Sequence, residues 1–251
     1  MTTIKKPQEI KIIAEGGHRL AKILEMVIKR VQPGINAEQL DQYAEELIIE
    51  AGGRPAFKGH AGFPGTLCVS PNEAVVHGVP RKEMILREGD IVGIDIGMRY
   101  PAAGGLYTDM ARTVGVGKIS DEAKKLIKVT EESFFRGIKT IKENSRLGDL
   151  GAAVQEYAEK NGFSVIRSLC GHGVGYAVHE DPKVMNFGQK GTGEILKEGM
   201  VLAVEPMIAA GEYDLETLDD GWTAVTKDRK LAAHYENTIV VTKGGCKILT
   251  K

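Results

Sequence analysis

The chain has 251 residues, 42% hydrophobic and 27% charged, the composition of an ordinary folded protein rather than a disordered one. Its formal net charge is −1, so no basic excess invites nucleic acid or an anionic membrane. Cys68, Cys170 and Cys246 are odd in number, far apart and without a CxxC pair. With no apolar signal core and no run near the ~18 apolar residues of a membrane span, they predict a cytoplasmic protein without a disulfide framework.

Pro7 reads as the first residue of a helix. Ile13, Leu20, Leu24, Val27 and Val31 follow at helical spacing, and Pro33-Gly34 stops the run. Leu40, Leu47 and Ile48 mark a second helix, closed by Gly52-Gly53. Strands follow: the apolar Ala74–Val76 leads into His77-Gly78. Val92, Ile94 and Ile96 then alternate with Gly93 and Asp95, and Pro101–Gly105 turns a hairpin into Thr108–Val114. The plan then recurs. Leu126, Ile127, Phe134, Ile138 and Ile141 make one helix, and Leu150, Val154 and Ala158 make the next, closed by Asn161-Gly162. Cys170–Gly175 is glycine-rich and holds His172, with His179 seven residues on. A last strand, Tyr235–Val241, has Glu236 near its start.

The two halves match at one offset. Leu86-Arg87-Glu88-Gly89 with Asp95 reads against Leu196-Lys197-Glu198-Gly199 with Glu205, 110 residues later, as do Leu40 and Leu150, and Gly52 and Gly162. The expected fold class is therefore α/β (α+β): two helices then strands, twice over, helices covering a curved sheet. The whole of 1–251 is expected to be a single catalytic domain with pseudo-twofold halves of roughly 1–118 and 119–251.

An acid inside Val-Gly-Ile-Asp-Ile conflicts with its setting. Strand interiors disfavour Asp, and burying a carboxylate is expensive unless it is paired or binds a metal. Any one such acid alone reads as a solvated or ion-paired residue. Jointly, Asp95, Asp109, Glu205 and Glu236 with His172 make an oxygen-rich set with an imidazole, which suits Mn, Fe, Co or Zn. Two divalent ions would offset four negative charges, and two-metal sites activate water for hydrolysis. Other motifs fail. Tyr176 stands where a dinucleotide loop needs Gly, and Pro182 and Lys183 break any HExxH reading of His179-Glu180. Adjacency of Cys170 and His172 is no evidence of a nucleophilic dyad. His18 reads as a surface residue.

Several segments together carry a resemblance over nearly the whole chain. They are Phe63–Ser70, Asn72–Pro80, Gly89–Asp95, Cys170–Gly175 with His179–Pro182, Glu205-Pro206-Met207, Asp220–Thr223 and Tyr235-Glu236. The sequence resembles the type I methionine aminopeptidases of the bacterial, pita-bread metallopeptidase class. The resemblance implies a curved, mainly antiparallel sheet and removal of N-terminal methionine ahead of a small second residue, by a hydroxide activated by two metal ions. It implies Co, Mn, Fe or Zn as the ions, with Asp95, Asp109, His172, Glu205 and Glu236 as ligands. Asp109 and Glu236 resemble the bridging carboxylates. Glu205 would also shuttle the proton, His179 would contact the scissile carbonyl, and His77 would stand near the scissile nitrogen. Phe57, His60, Phe63, Cys68, Val178 and Trp222 fall at the methionine-pocket positions. The implied partners are N-termini of nascent polypeptides or peptides, met by a monomer, with ribosome association left open and no nucleic-acid or membrane partner.

The sequence also departs from the family it resembles. Thr108 stands where Gly is usual, His60 and Val178 replace aromatics, and Leu231–His234 replaces a segment rich in Ser and Gln. Two alternatives remain: an Xaa-Pro-specific pita-bread peptidase, and a non-catalytic binding relative.

Overall fold

The computed structural model describes residues 2–251. α1 (Pro7–Ile28) and α2 (Ala37–Glu50) lead into β1 (Arg54–Pro55), β2 (Leu67–Pro71), β3 (Ala74–Val76) and the hairpin β4 (Ile91–Tyr100) and β5 (Leu106–Gly115). α3 (Asp121–Ile138) and α4 (Leu147–Lys160) open the second half. β6 (Ser164–Val165), β7 (Gly171–Gly173), β8 (Glu180–Val184), β9 (Val201–Val204) and β10 (Met207–Ala209) come next. β11 (Leu215–Thr217), β12 (Ala224–Thr226), β13 (Ala232–Thr242) and β14 (Gly245–Ile248) complete the chain.

Local chemistry accounts for the helix starts. Pro7 opens α1. At α2 the Asn36 side chain accepts from Gln39 N (2.9 Å) while the Gln39 side chain accepts from Asn36 N (3.1 Å), so two of the otherwise unpaired donors are satisfied reciprocally. Ser120 Oγ accepts from Ala123 N at the start of α3. The helix ends fall short of the sequence reading. α1 stops at Ile28 and α3 at Ile138, so Val31 and Ile141 lie in the turns beyond. Both still pack into the core, so the apolar spacing reports burial there rather than helix.

The duplication is visible in the backbone. Isolated bridges join Asn36 to Ile85 and Arg146 to Ile195, and Gly89 and Gly199 share a left-handed φ of 93° and 86°. Asn36 and Arg146, Ile85 and Ile195, and Gly89 and Gly199 all keep the 110-residue offset. The main sheet runs β1-β4-β5-β13-β9-β7-β8, with β2 beside β4 and β14 and β10 beside β13. Every pairing among its strands is antiparallel.

One face of this sheet is a core. Val92, Ile94 and Ile96 of β4 bury against Leu20, Leu24 and Leu40, and Leu202 and Val204 of β9 bury against Phe134, Leu150 and Val154. Each such side chain contributes about 1.5–3 kcal/mol by leaving water. Strand alternation then forces Gly93, Asp95, Ala203 and Glu205 to the opposite face. No described helix is long and apolar enough to cross a membrane.

Candidate metal centre

Three adjacent strands set the floor of the site. Ala111 of β5 pairs directly with Asp95 of β4 and with Glu236 of β13, so the two carboxylates flank a methyl group in one row. Asp109 lies two residues before Ala111 and therefore on the same face. On the other side of β13, Ala203 of β9 pairs with Thr238 and with His172 of β7, and Glu205 follows two residues after Ala203. The small residues at the centre of each row leave the acids free to converge.

They do converge. Single donor atoms of Asp109, His172 and Glu236 lie within 4.8 Å of one another. His172 Nε2 is 3.5 Å from Glu205 Oε1. The His172 Nδ1 lies 2.9 Å from the Gly173 carbonyl, which can only accept, so the proton of the neutral ring sits on Nδ1 and Nε2 presents its lone pair to the carboxylates. Glu236 is 2% exposed and Asp109 4%.

Such a cluster is unfavourable in the ionised form. Burial, with the Glu205 charge adding to it, pushes the Asp95 carboxyl up to about 7. Burial likewise brings Glu205 to about 7. Asp109 and Glu236 rise well above the carboxylate range, through burial first and then through the neighbouring acids. Burial holds His172 and His234 below the usual histidine range, with Glu205 opposing it at the first and Asp95 at the second.

The unpaired atoms match what a cation would need. Asp95 Oδ1, Asp109 Oδ1, Glu236 Oε1 and His234 Nε2 are buried and make no hydrogen bond. They are four of the seven such side-chain atoms among the described residues, and all four face this one site. Buried polar groups are otherwise nearly always satisfied, so the donor set fits divalent metal.

A cleft of about 720 Å³ opens above this floor, lined by Phe57, Phe63, Cys68 and Trp222 on one side. Phe63 and Trp222 meet edge to face at 5.2 Å. His60 also lines the cleft, but its side chain is exposed, so it stands at the mouth rather than within the apolar wall. Val178 is placed differently from the sequence reading. It is absent from the lining and is buried in one apolar cluster with Phe57, Phe63 and Cys68. His77 and His179 both face the cleft. The His179 ring is 4.4 Å from that of His172 and 5.5 Å from that of His60. Burial, helped by His60 and His77, holds His179 at about 4, so it is a neutral imidazole at physiological pH.

Two features escaped the sequence reading. One is His234. The other is the anchor of the His179 loop: Lys5 Nζ pairs with Glu180 Oε2 at 2.6 Å in a buried ion pair. Glu180 Oε1 accepts from the backbone N–H groups of Tyr176 and Ala177. No sequence signal links residues 175 positions apart, and the buried contact becomes visible only once α1 docks.

Acids spread over several strands of a duplicated sheet, with an imidazole facing them below an apolar cleft, define a metal-dependent hydrolase of the pita-bread fold. The profile of metallopeptidase family M24 matches residues 11–243, and the chain belongs to that family. Among its relatives is a methionine aminopeptidase of Clostridium perfringens (strain 13 / Type A). That protein is 50% identical over 250 residues, covering 100% of this chain and 99% of the relative. A methionine aminopeptidase structure from Thermotoga maritima superposes with a TM-score of 0.97 at 44% identity, with 100% of each chain covered. Prolidase from Pyrococcus furiosus shares the fold at a TM-score of 0.79 and 24% identity, and this chain spans 65% of it.

Proposed function

We propose that the chain removes the N-terminal methionine from polypeptides and peptides whose second residue is small, working as one catalytic domain whose two halves meet at the cleft. The observation that carries this reading is the set of unpartnered, buried carboxylate oxygens beneath an apolar pocket. Full-length likeness to proteins named methionine aminopeptidase supports it over the Xaa-Pro-specific alternative.

Asp95, Asp109, His172, Glu205 and Glu236 would hold two divalent ions from among Co, Mn, Fe and Zn. Bound there, such ions supply Lewis acidity that lowers the pKa of water and polarises a carbonyl. The remaining work falls to side chains. Phe57, Phe63, Cys68 and Trp222 receive the flexible thioether. His179, a neutral imidazole, donates a hydrogen bond to the carbonyl oxygen as charge develops on it. His77 stands at the scissile nitrogen. Glu205 accepts the proton of the attacking water at a carboxylate oxygen and returns it to the departing amine. The reading extends to a monomer acting in the cytoplasm on nascent chains.

The deciding experiment compares Met-Ala-Ser with an Xaa-Pro peptide, using chelated protein to which Mn, Fe, Co or Zn is returned. Release of free Met that requires added metal is expected. Faster cleavage of the Xaa-Pro peptide, or no cleavage of either, refutes the assignment.

A further inference from the structure

His234 is outside the five donors assigned above, yet its ring nitrogen lies among them. β13 carries it two residues before Glu236, on the same pleat face. Its Nε2 stands 3.4 Å from Glu205 Oε2 and 4.0 Å from Glu236 Oε2. The arrangement mirrors the other side of Glu205, where His172 Nε2 is 3.5 Å from Oε1. Each oxygen of Glu205 thus faces an imidazole.

The nitrogen is buried and makes no hydrogen bond. The contact with Glu205 is close, but it lacks the alignment of a donated N–H. Two donors bound to one ion at about 2.0–2.2 Å each lie roughly 3–3.5 Å apart, which is the separation found on both sides of Glu205. The root of the ring is fixed as well. The backbone N–H of His234 donates to Thr113 Oγ1 at 2.8 Å, and Thr113 Oγ1 donates to the His234 carbonyl at 2.9 Å. Met207 of β10 pairs with His234 from the opposite side. A rigid imidazole with a spare nitrogen, aimed at carboxylates that are short of partners, is a preorganised ligand.

We propose that His234 Nε2 is a sixth donor of the metal centre, binding the divalent ion held by Glu205 and His172. The inference rests on the metal-hydrolase reading of the cleft. A second nitrogen makes the site softer, so it favours zinc and cobalt over manganese, which prefers oxygen.

The test is titration calorimetry of the full-length, chelated protein with zinc alone and with manganese alone, on the parent, His234→Gln and His172→Ala. Loss of zinc affinity in His234→Gln by about tenfold or more, with manganese affinity changed less, is expected. If His172→Ala loses zinc and His234→Gln does not, the centre stands and His234 is no ligand. If neither variant loses zinc, the metal reading itself fails. X-ray absorption of the zinc-loaded parent needs no substitution and guards against a variant that misfolds. Two bound imidazoles per chain support the proposal, and one overturns it.

Discussion

The ring of Phe57 occupies the space a side chain on Gly97 would take. A Cβ at Gly97 would stand 2.7 Å from Phe57 Cε1 and 2.9 Å from the Ala56 Cβ. Gly97 is also the direct cross-strand partner of Asp109. One missing side chain therefore lets the apolar wall close down beside the carboxylate floor. Gly97→Ala should push the ring into the cleft. Overpacking of this kind costs about 1–3 kcal/mol, so the melting temperature should fall, and KM for Met-Ala-Ser should rise more than kcat falls. An unchanged KM in a destabilised variant would show that Phe57 does not bound the methionine pocket.

Glu205→Gln should keep the fold and lose turnover by ~10²–10⁴, the range for removing a general base. The amide has the same shape, and the backbone carbonyl of Glu205 keeps its bond from Asn186 Nδ2. The amide cannot accept the proton of the attacking water. Parental rates from the metal-loaded variant, in a peptide hydrolysis assay, would strip Glu205 of that role.

His179→Ala should cost ~10²–10³ in turnover, as loss of one oxyanion donor does. Metal content should stay nearly constant. Because the His179 imidazole is held at about 4, the parent should show no limb from this residue between pH 6 and 8. Elemental analysis of the variant is the check, and a large drop in bound metal would exchange the roles of His172 and His179.

Much of this arrangement was legible in the chain itself, for a physical reason. A carboxylate in an apolar strand needs a partner, so Asp95 and Glu205, repeated 110 residues apart, point to a shared candidate site, and both line one cleft. The strand phase that put Asp95 opposite Val92, Ile94 and Ile96 holds in the structure. What the sequence hid depends on pairing. His234 sits in an ordinary strand context, Ala-Ala-His-Tyr, and only the placement of β13 between β5 and β9 brings it to Glu205. Val31 and Ile141 fit helical spacing although they lie beyond the helix ends, because a buried turn residue has the same apolar character as a helix face. Val178 matches a pocket position in sequence, yet which side chains of one apolar cluster line the cleft is decided by the packing.

Selectivity should follow the wall. With Phe57, Phe63, Cys68 and Trp222 lining the cleft, Met at the first position is expected to be cleaved fastest in a panel of Xaa-Ala-Ser peptides. His60 at the mouth adds a polar edge, so the margin over other apolar residues should be modest, about 1–3 kcal/mol or 10–200-fold per methylene-scale difference. Faster release of Leu or Ala than of Met would contradict the pocket assignment.

The metal-free protein should grow less stable as pH rises, and metal should reverse that. Asp95 and Glu205 are raised to about 7 in the folded state, and Asp109 and Glu236 are raised further. Unfolded, these groups ionise near 4. A raised folded-state pKa favours the protonated native form. Its contribution is complete below about pH 4 and is lost progressively as pH climbs through about 7. Divalent ions bind the ionised oxygens of the folded chain and stabilise it by RT ln(1 + [L]/Kd), about 2.7 kcal/mol at a hundredfold excess over Kd. Protons compete for the same oxygens, so this increment should be largest at neutral pH and fade toward pH 5. Thermal melts with chelator, and then with Mn or Co, measure both slopes. Asp109→Ala should remove most of the metal-dependent rise, because its oxygen is among the unpartnered four. Glu122→Ala, an exposed acid in the first turn of α3, should leave the rise intact. Melting temperatures that are equal with and without saturating metal across this range would mean that the four acids do not share a cation.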